Sequence, residues 1–550
     1  MTRQGCQWMI FFVCTVAASA AVAAPTRTVT ILHTNDLHGH VEPWTGWGDL
    51  AGRTVGGLDR LASAVKQARA EAGTAQTLLL DAGDTFGDTL IADRTRGKVM
   101  VDAMNAMRYD AMVIGNHEPD YTAATLKERM REARFAVLAA NIRTRGGHLY
   151  ARPYLLRTVN GVHVGILGLA YPNTPATTAP KNVEGLTFLD AVETARTFVP
   201  RLRREGAQIV IVLSHYGLAA DQKLARDVPG IDLIVGGHSH NRMSEAAREG
   251  DTLIVQAGAH GSDLGRIDLE IADGRVVGHR RSLIAIDNAT YAPEPKVAAV
   301  IASHLRRHRD AIERKIADAT SPITRAQTLA GQTPGKRDQQ SPADSLFADL
   351  LREATGAEVA LLPGVGYGVA IPAGPIRYGE LRNLIPHESH TVTLTLTGAQ
   401  LRAVLEQSLE NTYTDDPKKK VGGMIQLSGM NFEYDRHAGF GSRVIEVTVG
   451  GAPLDAERRY RVATNSLLAE GGHHYTTFKE ASDKQQGAPL HELVSQSLAR
   501  MRAVTVPSDL RIVPVQQQAH AEPDSRLACL HFPFFEHAPC FFMPSHTPYK

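Results

Sequence analysis

Cysteine is scarce in this 550-residue chain. Cys6 and Cys14 lie near the N-terminus, Cys529 and Cys540 near the C-terminus, and none falls between. The body of the protein therefore has no thiolate nucleophile and no Cys-bound structural zinc. Charge of one sign is missing too. Fifty-nine basic and 58 acidic residues give a formal net charge of +1, with no acidic or basic block. Charge thus gives no support to a nucleic-acid or membrane-surface partner. After the first residues no apolar run is long enough to span a bilayer. Hydrophobic content of 43% and charged content of 21% are ordinary for a globular enzyme, and the length calls for two or more cores.

Residues 1–23 read as a cleavable export segment. Arg3 supplies a positive start, Trp8 to Val22 an apolar stretch, and Ala21-Val22-Ala23 a small-x-small pattern before a cut ahead of Ala24. Cys14 lacks the small residues that precede a lipidated cysteine. The mature chain is expected to be periplasmic or secreted, where Cys529 and Cys540 are free to pair.

From Thr28 to about Ile286 strand-like runs alternate with amphipathic stretches at Leu58–Ala72, Val99–Met107, Ala123–Glu132 and Ala191–Arg204. This is the pattern of an α/β domain, residues 26–290, around a buried sheet. Residues 291–322 are predicted as a connecting helix, from the spacing of Val297, Ile301, Leu305, Ile312 and Ile316. A second, α+β domain spans 323–515, with a helix at Ser345–Ala354 followed by several strand-like runs. The 516–550 tail has no periodicity and is expected to be disordered.

What is present is a series of polar motifs at the ends of short aliphatic runs. These are Asp36-Leu37-His38 after TVTIL, Gly83-Asp84 after TLLL, and Gly115-Asn116-His117-Glu118 after AMVI. Ser214-His215 follows IVIVL, and Gly237-His238-Ser239-His240 follows IDLIV. One Asp or His at a strand end usually has a bland structural partner. Five such sites predict an active-site rim at one edge of one sheet. Carboxylate, imidazole and amide oxygen suit zinc, manganese or a similar divalent ion. Asp36, His38, Asp84, Asn116, His215, His238 and His240 are enough for two ions. Asp84 is placed to bridge them, and Gly83 lets the backbone pass close. His117 then remains as an acid toward a leaving oxygen, with Asp120 orienting its ring. His33 and His163, outside the motifs, read as satisfied core or edge histidines.

TNDLHGH (34–40), DAGD (81–84), GNHEPD (115–120), SHYG (214–217), GGHSH (236–240) and QAGAHGSDLG (256–265) together resemble the calcineurin-like metallophosphoesterases. More narrowly they resemble the secreted 5′-nucleotidase and UDP-sugar hydrolase family. The resemblance implies a four-layer α/β/β/α sandwich followed by a substrate-binding C-terminal domain. It implies one metal on Asp36, His38, Asp84 and His240, and another on Asp84, Asn116, His215 and His238. It also implies a His117–Asp120 catalytic dyad and a small phosphate ester as substrate.

The second domain departs from that family. Pro363-Gly364-Val365-Gly366-Tyr367-Gly368 stands where N-G-G-G-I-R is usual, so Gly368 takes the place of the Arg. Met424 and Leu467 stand for the two base-stacking aromatics, and His473 for an Asp. Tyr367, Arg377, Met424, Leu467 and His473 are the candidate substrate contacts, with Arg382, His387, His390 and Tyr475 as nearby alternatives. The P-G-x-x-Y-G and P-A-G-x-I pattern resembles the thiosulfohydrolase branch of the superfamily. That makes release of sulfate from a sulfur-carrier protein the alternative activity. Oligomeric state is not legible.

Overall fold

The computed structural model describes residues 26–46, 48–325, 337–365, 369–416 and 419–515. The expected export segment, residues 1–23, the 516–550 tail and Tyr367 lie outside the described residues. Twelve strands of the first domain form two sheets. In chain order they are β1 (Arg27–Thr34), β2 (Thr77–Asp81), β3 (Ala111–Val113), β4 (Ala136–Leu138), β5 (Tyr154–Val159) and β6 (Val162–Leu169). Then come β7 (Ile209–Ser214), β8 (Leu233–Gly236), β9 (Ala247–Glu249), β10 (Thr252–Val255), β11 (Asp263–Ala272) and β12 (Arg275–Ala285). One sheet runs β12-β11-β1-β2-β3-β4 and the other β9-β10-β8-β7-β6-β5. Strands β1 to β4 are parallel, and so are β6, β7, β8 and β10.

Alternation along each strand sets the layers. Ile31, Leu78 and Leu80 point into a core shared with Ile209, Ile211, Leu233 and Val235 of the other sheet. Leu32 and Leu79 face the opposite way, onto Leu61 and Val65 of the helix Leu58–Ala72. Val210, Val212 and Ile234 face Phe198 and Leu202 of the helix Ala191–Arg204. That helix begins where Asp190 Oδ1 accepts from the backbone N–H groups of Val192 and Glu193 at 2.9 and 3.0 Å. The result is the anticipated α/β/β/α sandwich. The rim, however, draws on two sheets rather than one: Asp36, Asp84 and Asn116 follow β1, β2 and β3, whereas His215 and His238 follow β7 and β8.

The connecting helix also differs from expectation. It is split into Pro295–Leu305 and Arg309–Glu313. Residues Lys315–Ala319 then form a strand paired with Gly374–Arg377. His308 precedes the second helix at φ −123°, outside helical range. Ile316 satisfies helical spacing by coincidence. The second domain holds a five-stranded sheet and a four-stranded sheet, with the expected helix at Pro342–Thr355 against the first of them. Among the described residues no helix is long and apolar enough to cross a membrane.

Candidate metal centre

The strand ends deliver their side chains through tight loops. Five of the seven candidate ligands, Asp36, His38, Asp84, His238 and His240, have positive φ between 44° and 71°. Left-handed backbone on non-glycine residues is costly, and its clustering here marks a site where the surroundings impose geometry. Gly83 itself sits at φ 88°, and a Cβ there would meet Gly115 N at 2.8 Å and His215 Nδ1 at 3.0 Å. Gly115 leaves room for Asp84, whose Oδ1 would lie 2.2 Å from an added Cβ.

Two clusters of potential ligands result, Asp36–His38–His240 and Asp84–His215–His238. Asp36 Oδ1 lies 3.3 Å from His240 Nε2 and 3.8 Å from His38 Nε2. Asp84 Oδ2 lies 2.9 Å from His215 Nε2 and 4.0 Å from His38 Nε2, so it faces both clusters. Its other oxygen accepts from His117 N at 2.8 Å, which fixes the carboxylate's rotation. Asn116 Oδ1 is 2.8 Å from His238 Nδ1.

The donor set fits divalent ions. His215 Nε2 is buried without a hydrogen bond of proper geometry, although Asp84 is near; convergence without alignment is how ligands of a shared ion sit. Burial depresses His215, but Asp84 and then Asp36 outweigh it and push the imidazole up to about 9. The carboxylates thus call for positive charge that two cations would supply. Burial, then His215 and Arg337, holds His238 well below the ordinary imidazole range, in its neutral, ligating form.

His117 lies beside these clusters. Its Nδ1 is 2.7 Å from Asp120 Oδ2, and Asp120 Oδ1 accepts from Thr178 Oγ1 at 2.6 Å. Burial alone would lower His117, yet Asp88, Asp84 and Asp120 more than offset it and hold the ring protonated well above its ordinary range.

Several contributors escaped the sequence reading. Asp88 is buried and pairs with His38 Nδ1, orienting that ring from behind. Its signal was a second Gly-Asp pair, Gly87-Asp88, four residues after the first. Glu118 accepts four backbone N–H groups, from Thr85, Gly115, Asp84 and Phe86, at 2.6, 2.6, 3.0 and 3.2 Å. It welds the Asp84 loop to the Asn116 loop. From the second domain, Arg337 Nη2 donates to His238 O at 3.4 Å. His387, which the sequence offered only as an alternative substrate contact, stacks on His117 with ring centroids 5.0 Å apart and planes 9° from parallel.

The candidate substrate contacts fare unevenly. Met424 is fully buried in the core of the second domain, its Sδ accepting from Ser408 Oγ at 3.4 Å. Arg377 is exposed, with Glu380 at 3.9 Å. Leu467 is half-buried and packs against Gly472. His473 is half-buried with φ 52°, and burial, then the charges of His387, Arg337 and His117, lowers its pKa to about 3. Arg382 is buried and joins Asp93 of the first domain at 2.5 Å. His390 is exposed and Tyr475 lies in the core. His163 is exposed beside Thr158. His33 is buried without a hydrogen bond to either ring nitrogen, so it is a core histidine but not a satisfied one.

The sandwich and its strand-end donors define a calcineurin-like phosphoesterase, and the description of that family matches residues 29–242. Enzymes of this class work with two divalent metal ions. The 5′-nucleotidase C-terminal domain matches residues 316–480, so the chain joins the two domains and is a 5′-nucleotidase-like, metal-dependent phosphoric ester hydrolase. It is 29% identical over 527 residues to the trifunctional nucleotide phosphoesterase protein YfkN of Bacillus subtilis. That match covers 86% of this chain but 34% of the longer protein. The crystal structure of a 5′-nucleotidase precursor from Thermus thermophilus superposes with a TM-score of 0.80 at 29% identity, covering 89% of this chain and all of the other. The sulfate thiohydrolase SoxB of Thermus thermophilus gives a TM-score of 0.80 at 26% identity, covering 88% of this chain and 96% of the other.

Proposed function

We propose that this chain is an exported hydrolase that cleaves a nucleotide or a related small organophosphate to an alcohol and phosphate. Asp36, His38, Asp84 and His240 would hold one divalent ion, zinc or manganese by donor type; Asp84, Asn116, His215 and His238 would hold the other. When bound, the pair supplies Lewis acidity toward water and the phosphoryl oxygens. Asp84 keeps Oδ2 turned toward both ligand clusters because its Oδ1 accepts from His117 N. Asp120 fixes the His117 ring through Nδ1, so Nε2 carries the proton given to the leaving oxygen. Thr178 in turn fixes Asp120. We place the domain limits at 26–290 and 323–515, after cleavage of 1–23.

The observation that carries this reading is Asp84 Oδ2, facing both ligand clusters beside a protonated His117. The test is a panel of nucleoside monophosphates and p-nitrophenyl phosphate with added Mn²⁺ or Zn²⁺. Activity is expected to vanish in Asp84→Ala; equal activity in that variant, or none in the wild type, sinks the reading. A second reading draws on the Pro363–Gly368 stretch and on the likeness to SoxB. Sulfate release from a sulfur-loaded carrier protein, without phosphatase activity, would favour it.

A further inference from the structure

Asp88, His117, Asp120 and His387 form a separate cluster, one donor atom from each lying within 4.8 Å of all the others. The measured approaches are 2.7 Å for His117 Nδ1 to Asp120 Oδ2, 3.5 Å for His387 Nδ1 to Asp88 Oδ1, and 4.0 Å for His117 Nδ1 to Asp88 Oδ1. Around a tetrahedral zinc with ligands at about 2.0–2.2 Å, neighbouring donors sit roughly 3.3–3.6 Å apart. The measured values bracket that spacing. Two carboxylates and two imidazoles are a donor set zinc accepts.

The carboxylates are also pre-aimed. Asp88 commits Oδ2 to His38 Nδ1 and Asp120 commits Oδ1 to Thr178 Oγ1. In each case the remaining oxygen is the one turned toward the imidazoles. Such anchoring of the far oxygen is how ligands are oriented by the shell behind them. Three donors come from the first domain and His387 from the second, so the cluster exists only when the two domains meet.

We propose that Asp88, His117, Asp120 and His387 form a third, inhibitory zinc site, closed by the second domain. The ion would occupy the place of the proton shared by His117 Nδ1 and Asp120, and would hold the ring that the leaving group needs. Inhibition rests on the reading of His117 as proton donor, whereas the number of ions bound does not.

Equilibrium dialysis of the full chain against Zn²⁺, followed by metal analysis, should give about three ions per chain, the third binding weakest. Hydrolysis of p-nitrophenyl phosphate should fall as the third binds. His387→Phe keeps a ring against His117 but removes the donor. It should saturate at two ions and need at least about tenfold more Zn²⁺ for half-inhibition. His387→Asp should restore the third ion, and circular dichroism confirms that both variants fold. Wild-type saturation at two ions, or a third ion retained in His387→Phe, overturns the site. Loss of the third ion with unchanged zinc inhibition overturns its inhibitory role. If the two-ion chain hydrolyses nothing, the phosphatase reading has failed, and the ion count alone then decides for or against the site.

Discussion

His117 sits among three carboxylates, and their division of labour explains its chemistry. Asp120 takes Nδ1, Asp84 accepts from the backbone N–H, and Asp88 adds negative potential while orienting His38. A proton donor matters most when the departing oxygen is a poor leaving group. His117→Ala should therefore slow hydrolysis of an alkyl phosphate by about 10²–10⁴-fold, and that of p-nitrophenyl phosphate by clearly less. Equal losses on the two substrates, measured as kcat/KM, would remove His117 from the donor role. At this scale the motifs were legible because each chemical residue type follows a recognisable strand. Asp88 was not, because no apolar run precedes it and its purpose shows only when His38 is seen in front of it. Met424 was misplaced for the opposite reason: a matched position in sequence says nothing about which way a side chain turns, and this one turns into the core.

Loops, rather than strands, set the precision of the site. Glu118 closes four backbone donors with one buried carboxylate, tying the segment after β2 to the segment after β3. In Glu118→Gln the amide NH₂ cannot accept, so two of those donors lose their partner. The expected cost is roughly 3 kcal/mol, read as a lower urea midpoint, together with weaker metal retention; an unchanged midpoint contradicts the role. Behind His215, Asp221 lies buried in the helix Leu218–Asp227. Its Oδ1 accepts from Ser214 Oγ at 2.5 Å and its Oδ2 has no partner. Burial raises it from 3.8 to about 8. The folded state then keeps a proton that the unfolded chain releases, so stability is full below the unfolded value and declines as pH climbs toward 8. Asp221→Asn cannot ionise. Its Tm should gain on that of the wild type between about pH 5 and about pH 9, and a constant difference would refute the assignment. The amphipathic helices were readable from spacing alone, Leu58–Ala72 and Ala191–Arg204 to the residue. The connector was not, since Lys315–Ala319 becomes a strand only by pairing with Gly374–Arg377, a partner far along the chain.

Across the whole molecule two sheets pack face to face across a shared core, and the second domain covers the strand ends that both sheets bring to the site. Sequence periodicity identifies a strand and its end but not the sheet it joins, which is why one sheet was expected where two contribute. The domains touch through Arg382 and Asp93, through Tyr171 Oη donating to Lys420 O at 2.9 Å, and through the stacked His117 and His387. Tyr171 also stacks on His238 at 4.1 Å, so the covering domain bears on the ligands themselves. The central claim is that each sheet edge supplies part of one dinuclear centre joined by Asp84. Anomalous scattering from crystals grown with Mn²⁺ tests it most directly. The account predicts two peaks, one among Asp36, His38 and His240 and one among Asn116, His215 and His238, with Asp84 touching both. A single peak, or peaks that Asp84 does not join, would contradict it.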